Sequence, residues 1–252
     1  MNIFALAVLS ITLTACGNNA NTSNNLYDQM VRVKGGTFKM GEELEEGNGF
    51  GSSFNNRRII DYGIEAHTVS LSDFYIGKFE ITQKDWTSIM GSNPSNFKGD
   101  DLPVENVSWD DCQEFIRKLN SLTGKNYRLP TEAEWEYVAQ MTNNSDWDDA
   151  CWYNENSRGT THPVGSKSPN ILGIYDIWGN VSEWCQDWYE KDYYNRSPKS
   201  NPTGAVKGTE RVYRGQSFDD GLNAGSTYTI RHHSKPNYYH PTLGFRLAIS
   251  CE

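Results

Sequence analysis

Two carboxylates, Asp176 and Glu183, flank a glycine-containing turn in the run Asp176-Ile-Trp-Gly-Asn-Val-Ser-Glu183. Their side chains, with the main-chain carbonyls of the turn between them, offer the mixture of carboxylate and carbonyl oxygens that calcium prefers. A second concentration of reactive groups lies downstream, where Asp219, Asp220, Tyr228, His232, His233, Tyr238, Tyr239 and His240 crowd one segment. Tyrosine-rich loops supply rigid, amphipathic contact area, so this segment suits recognition of a ligand. His232 and His233 are adjacent, and neighbours on a strand point to opposite faces, which argues against a shared metal. Arg128, Arg214, Arg231 and Arg246 each sit beside strand or turn residues, and we read them as forks of donors tying loops together rather than as substrate-carboxylate binders.

The chain has five cysteines. Cys16 closes the run Leu13-Thr-Ala-Cys16, directly after an apolar stretch over residues 3–15. That stretch is shorter than the roughly 20 residues needed to span a bilayer. It matches the apolar core of an export signal, although no Lys or Arg precedes it. The expected organisation is a lipoprotein signal peptide over 1–15, a lipidated Cys16 with a flexible tether over 16–27, and one domain over 28–252. Residues 17–25 hold five Asn and nothing larger than Ala among their apolar residues, which cannot bury surface. A lipid on Cys16 implies a place in the cell envelope, at the outer membrane or cell surface, with the membrane as a partner. Cys112, Cys151, Cys185 and Cys251 remain; an even count in an exported chain permits two disulfides, and no CxxC spacing points to zinc. The net charge of −9, with no basic run, excludes nucleic acid as a partner.

The elements that position these groups are short. Capping pairs Thr82/Asp85, Ser108/Asp111 and Thr131/Glu134 open three helices, since a hydroxyl can accept an orphan amide while the carboxylate complements the dipole. Their core faces carry Trp86, Ile89 and Met90, then Cys112, Phe115, Ile116 and Leu119, then Ala133, Tyr137, Val138 and Met141. Residues 31–41 alternate around Gly35-Gly36 and predict a hairpin. Residues 42–64 read as a surface loop, residues 67–82 as strand, and 244–249 as a closing core strand through Phe245, Leu247 and Ile249. Between 143 and 241 sustained periodicity is scarce, and Gly, Asn, Asp, Pro and aromatics dominate.

Six blocks in order carry a resemblance. They are Gly35-Gly-Thr-Phe-Lys-Met-Gly41, Pro103-Val-Glu-Asn-Val-Ser-Trp109, the run from Tyr127 to Tyr137, the run from Asn170 to Trp184, Arg211-Val-Tyr-Arg-Gly-Gln-Ser-Phe218 and Gly244-Phe-Arg-Leu-Ala248. Together they resemble the formylglycine-generating enzyme, or sulfatase-modifying factor, family. The resemblance implies an α+β fold related to the C-type lectin fold, with little regular secondary structure, and a structural calcium at Asp176, Gly179, Val181 and Glu183. It also exposes a departure. Family oxidases carry two copper-binding cysteines after a Gly-Gly-Ser-aromatic run; here the run is Gly215-Gln-Ser-Phe218 and the two positions hold Asp220 and Gly225. Copper(I) prefers sulfur, so no copper and no catalytic residue are expected. The resemblance therefore implies a binding or scaffold lipoprotein for a protein or surface ligand, displayed through Asp219, Asp220, Tyr228, His232, Tyr238 and Tyr239. Two alternatives stay open: an oxidase of formylglycine-generating or nonheme-iron type acting on exported proteins, and a variable ligand-binding protein of the kind served by diversity-generating retroelements.

Overall fold

The computed structural model describes residues 26–43, 64–142, 146–221 and 228–251. The export segment, Cys16, the tether over 17–25, Gly225 and most of the 42–64 loop lie outside the described residues. Leu26, placed in the tether from sequence, is buried among core residues, so the folded body includes it.

All three capped helices form. α1 (Gln83–Met90), α2 (Trp109–Thr123) and α3 (Glu132–Ala139) follow Thr82, Ser108 and Thr131. In each, the cap hydroxyl accepts the amide of Asp85, Asp111 or Glu134 at 3.1 Å. Asp111 and Glu134 accept the cap amides in return, at 2.9 and 2.8 Å, closing reciprocal boxes. Met141 falls just beyond the end of α3 yet still packs on the core. A short α4 (Trp147–Ala150) follows.

The hairpin expected over 31–41 does not form. β1 (Met30–Val33) pairs antiparallel with β4 (Phe74–Gly77), whereas β2 (Thr37–Met40) pairs antiparallel with β3 (His67–Ser70). The reason lies at Gly35, where a Cβ would sit 2.2 Å from the Leu71 carbonyl oxygen. Glycine here permits a close crossing between two sheets rather than a reversal within one. The first sheet runs β1-β4-β10-β5, with β5 (Tyr127–Arg128) and β10 (Ala248–Ser250). A further sheet runs β8-β7-β6-β9, from β6 (Ser182–Trp188), β7 (Arg211–Arg214), β8 (His232–Ser234) and β9 (Leu243–Gly244). The closing strand expected over 244–249 is thus split between two sheets, β9 lying parallel to β6 and β10 antiparallel to β4. Phe245 and Leu247, between them, are buried as expected.

Two apolar clusters hold the body together. One surrounds Trp135, Phe74, Ile76 and Val212. The other gathers on α2, where Trp86 stacks on Phe115 at 5.3 Å beside Phe245 and Trp184. Cys112 and Cys185 are buried in different clusters and all four cysteines of the body are free thiols, so the permitted disulfides do not form. Among the described residues no helix is long and apolar enough to cross a membrane.

Candidate functional site

Every residue of α3 is buried, including Glu132, Glu134 and Glu136. Buried carboxylates need partners, and three arginines supply them, two from far along the chain and one, Arg128, from six residues before Glu134. Arg231 donates to both oxygens of Glu132 at 2.7 and 2.9 Å. Arg128 donates to both oxygens of Glu134 at 2.6 and 2.7 Å. Arg214 pairs with Glu136 and donates to the carbonyls of Thr229 and Ile230. Burial pushes Glu132 up, but Arg231 and Arg214 together hold it below the usual carboxylate range. Glu136 is raised, because its burial outweighs Arg214. The four arginines are the structural forks expected from sequence. The glutamates on α3 that partner three of them were missed, since a helix buried all round shows no polar stripe to mark them.

The 176–183 segment forms the fourth charged knot. Arg246 donates to Glu183 Oε1 at 2.5 Å and Oε2 at 2.7 Å, and Trp135 Nε1 donates to Oε2 at 2.9 Å. Arg246 also donates to the carbonyls of Gly77 and Tyr175. Glu80 completes the knot: it accepts the Val181 amide at 3.0 Å and Asn180 Nδ2 at 2.7 Å. Burial, then the nearby Asp176 and Glu183, raise Glu80 well above its ordinary range. Asp176 accepts the Gly165 amide through Oδ2 at 2.6 Å, while its Oδ1 is buried with no partner. Burial pushes Asp176 to about 6. Gly179 is left-handed (φ +80), and a Cβ there would meet the Trp152 carbonyl oxygen at 2.2 Å, so only glycine closes this turn. The structure therefore brings Asp176, Gly179, Val181 and Glu183 into one buried corner. Of these, the orphaned Asp176 Oδ1 fits a cation. Glu183 has both oxygens engaged by Arg246 and Trp135, and among the described residues no three His, Cys, Asp or Glu side chains are grouped to hold a metal.

The downstream segment divides. Asp219 and Asp220 are exposed in one turn, where Asp220 Oδ2 accepts the Ser217 amide at 2.8 Å and the Ser217 hydroxyl at 2.7 Å. His232 lies on β8 and stacks on Tyr213 at 5.1 Å. Burial lowers His232, with Arg214 and His233 adding to the effect and Asp220 opposing it. Tyr238 and Tyr239 are exposed, at 39% and 60%. Asp220 and Tyr238 both lie in electrostatic reach of Tyr213. Tyr213, a residue sequence reasoning did not single out, thus has His232 stacked on it and feels the charges of Asp220 and Tyr238. Tyr228 is not part of this group: it is half-buried against Trp178, with ring centroids 5.6 Å apart. His233 turns the other way, stacks on Tyr189 at 3.7 Å and meets Glu210 at 2.9 Å. The two histidines therefore cannot act together. His240 meets the Thr242 hydroxyl at 2.7 Å.

A mixed helix-and-sheet body rich in irregular loops, tied by buried arginine–glutamate forks, defines the class of protein. The chain belongs to the sulfatase-modifying factor enzyme 1-like family, whose model matches residues 17–251. It is 34% identical to the chaperone protein LppX of Paenibacillus barcinonensis, over 74% of this chain and 80% of that protein. It is 32% identical to the formylglycine-generating enzyme of Streptomyces coelicolor, over 65% of this chain and 60% of the enzyme. Among solved structures it is similar to Treponema denticola variable protein 1, with a TM-score of 0.75 and 29% identity over 88% of this chain and 95% of that one.

Proposed function

We propose that this chain is a recognition or chaperone-type member of the family, exported and held in the cell envelope by a lipid on Cys16, and not an oxidase. One observation carries this proposal. Asp220, at the position of a family copper-binding cysteine, is a hydrogen-bond acceptor that shapes its own turn through Ser217. It offers copper(I) no soft ligand. The body's four thiols lie elsewhere in the chain: Cys112 and Cys185 are buried and raised well above the usual thiol range by burial, and Cys151 is raised to about 12 by the same cause. The binding face consists of Asp219, Asp220, His232, Tyr238 and Tyr239, with Tyr213 beneath His232. The name of the Paenibacillus relative, a chaperone protein, supports a protein ligand.

A calcium ion at the 176–183 corner belongs to the same proposal. The buried, unpartnered Asp176 Oδ1 supports it, and the Gly179 and Val181 carbonyls would complete an oxygen set. Such an ion would brace the turn; it has no part in a reaction. The deciding experiment is mass spectrometry of a cysteine-containing sulfatase peptide incubated with the protein and copper. No conversion to aldehyde is expected, and metal-dependent conversion would make the chain an enzyme. A second reading, a variable ligand-binding protein, draws on the exposed Tyr238 and Tyr239 and on the likeness to the Treponema variable protein. Sequencing the gene from many isolates tests it: variation concentrated over residues 218–243 is the expected signature.

A further inference from the structure

One cavity lies away from the 176–183 corner and the Asp220 face. It has a volume of about 920 Å³ and opens on the outer side of the β1-β4-β10-β5 sheet. Its floor is one row of directly paired residues crossing all four strands: Arg32 opposite Tyr75, Tyr75 opposite Ile249, and Ile249 opposite Tyr127. Tyr27 and Lys125 complete the rim, with the Lys125 ammonium 4.0 Å from the centre of the Tyr27 ring.

The charge of this cavity runs against the charge of the chain. Arg32, Lys125 and Arg128 line it, and no lining residue among those described is acidic, in a protein of net charge −9. Arg128 is committed to Glu134 and Ser250. Arg32 gives only one terminal nitrogen to Asp73, and Lys125 has no carboxylate partner among the described residues. Tyr127, only 3% exposed, has a hydroxyl with no partner. Three strand spacings separate Arg32 from Tyr127, about 14 Å. That is too wide for one small anion to bridge, and it suits a surface bearing several anionic groups.

We infer that this face docks on an anionic phospholipid bilayer, with Arg32 and Lys125 meeting phosphates and Tyr27 and Tyr75 lying at head-group level. The inference rests on the lipid-anchor proposal for its orientation. Leu26 follows Cys16 by ten residues, so the anchored body hangs at most about 35 Å from the bilayer. Tyr27, on the rim, follows Cys16 by eleven residues, so a lipid on Cys16 would hold this face close to the bilayer. Tyrosine suits a boundary where one end of the ring is apolar and the other wet. The acidic remainder of the chain is repelled by the same surface, which favours this one orientation.

The test is co-sedimentation with vesicles, using the chain from residue 17 onward without its lipid; both core clusters lie within 26–251, so this chain retains its fold. Vesicles of phosphatidylcholine alone are compared with vesicles also containing phosphatidylglycerol. Binding only to the latter is expected. Each basic side chain at an anionic surface is worth about fivefold, so Arg32→Gln with Lys125→Gln should weaken binding roughly 25-fold. A matched pair outside the cavity, Lys84→Gln with Lys207→Gln, should change it far less. Equal binding to both vesicle types, an unaffected cavity pair, or equal losses from the two pairs would overturn the inference. So would saturable binding of soluble glycerol phosphate with no binding to vesicles. Because the tested chain carries no lipid, a negative result leaves acylation of Cys16 standing, and failure of acylation leaves vesicle binding standing.

Discussion

Arg246 holds both carboxylate oxygens of Glu183 from two residues past the end of β9, joining the chain's last described segment to β6 at zero exposure for the guanidinium. Removing one partner of such a pair strands the other charge in the core. Glu183→Ala and Arg246→Ala should therefore each cost about 3–5 kcal/mol. The loss from both changes together should fall well below the sum, because neither then leaves an unpaired charge. Urea unfolding of the two single variants and the double variant measures this. Additive losses would show that the two side chains act independently.

Calcium is tested on the same corner through a different atom. Asp176 Oδ1 is buried and unpartnered, so an ion bound there should stabilise the fold by about 2.7 kcal/mol when present at 100 times its dissociation constant. Chelator should lower the melting temperature, and Asp176→Asn should reproduce the loss and remove the response to chelator. A melting curve indifferent to chelator would leave Arg246 as the cation of this corner.

Stability should fall as pH rises from about 4 to about 8 through Asp187. This carboxyl accepts the Glu132 amide at 2.9 Å, and burial, aided by the neighbouring Glu132, raises it from 3.8 to about 8. The unfolded chain releases that proton near 4, whereas the folded chain keeps it to about 8, so the folded state binds more protons throughout this window. Its stabilising contribution is then greatest at the acid end and lost towards the alkaline end, at no more than about 1.4 kcal/mol per pH unit. Glu132, lowered by Arg231 and Arg214 against its burial, acts below its ordinary range and leaves the neutral window alone. Asp187→Asn should flatten the profile of urea midpoints between about pH 5 and about pH 8. An unchanged slope would assign it to another group.

The helix starts were legible because capping is local: a hydroxyl and a carboxylate three residues apart make the whole device. The role of the four arginines was legible for a similar reason, as each lies next to residues that must be strand or turn. What Arg214 and Arg231 pair with was not, unlike Arg128, whose partner Glu134 lies six residues on. Glu132 meets an arginine 99 residues away and Glu136 one 78 residues away, and no window of sequence contains both partners. The Gly35-Gly36 pair misled in the same way. Its alternating flanks are consistent with a hairpin, and the close approach of Leu71 that redirects the chain is a tertiary fact. At the candidate face, the residue types in 219–240 were readable. That Tyr228 packs on Trp178 while Tyr213 supports His232 depends on strand pairing between β7 and β8.

Export is tested at Cys16. Replacing Cys16 with Ala should leave the precursor uncleaved by the lipoprotein signal peptidase and unlabelled by radioactive fatty acid, while the folded body retains its melting temperature. Processing and labelling equal to the unaltered chain would remove the lipid anchor from the proposal.

The last prediction concerns whether the family's copper chemistry can be restored one cysteine at a time. Copper(I) capture requires two thiolates, and this chain has Asp220 and Gly225 at those positions. Asp220→Cys alone supplies half a site, so no conversion of a sulfatase-type cysteine is expected even with copper present. It also removes a structural part. Asp220 Oδ2 accepts both the amide and the hydroxyl of Ser217, at 2.8 and 2.7 Å, and a thiol is a weak acceptor. Losing a local side-chain acceptor of this kind costs about 1 kcal/mol, as loss of a helix cap does. Asp220→Cys should thus be measurably less stable than the unaltered chain, with Asp220→Asn falling between them because its carbonyl oxygen can still accept one bond. Melting curves on the three proteins, run beside the peptide assay, separate the two roles of this position. Aldehyde formation by Asp220→Cys at undiminished stability would mean that the turn does not depend on Asp220 and that a single thiolate is enough to bring back the oxidase.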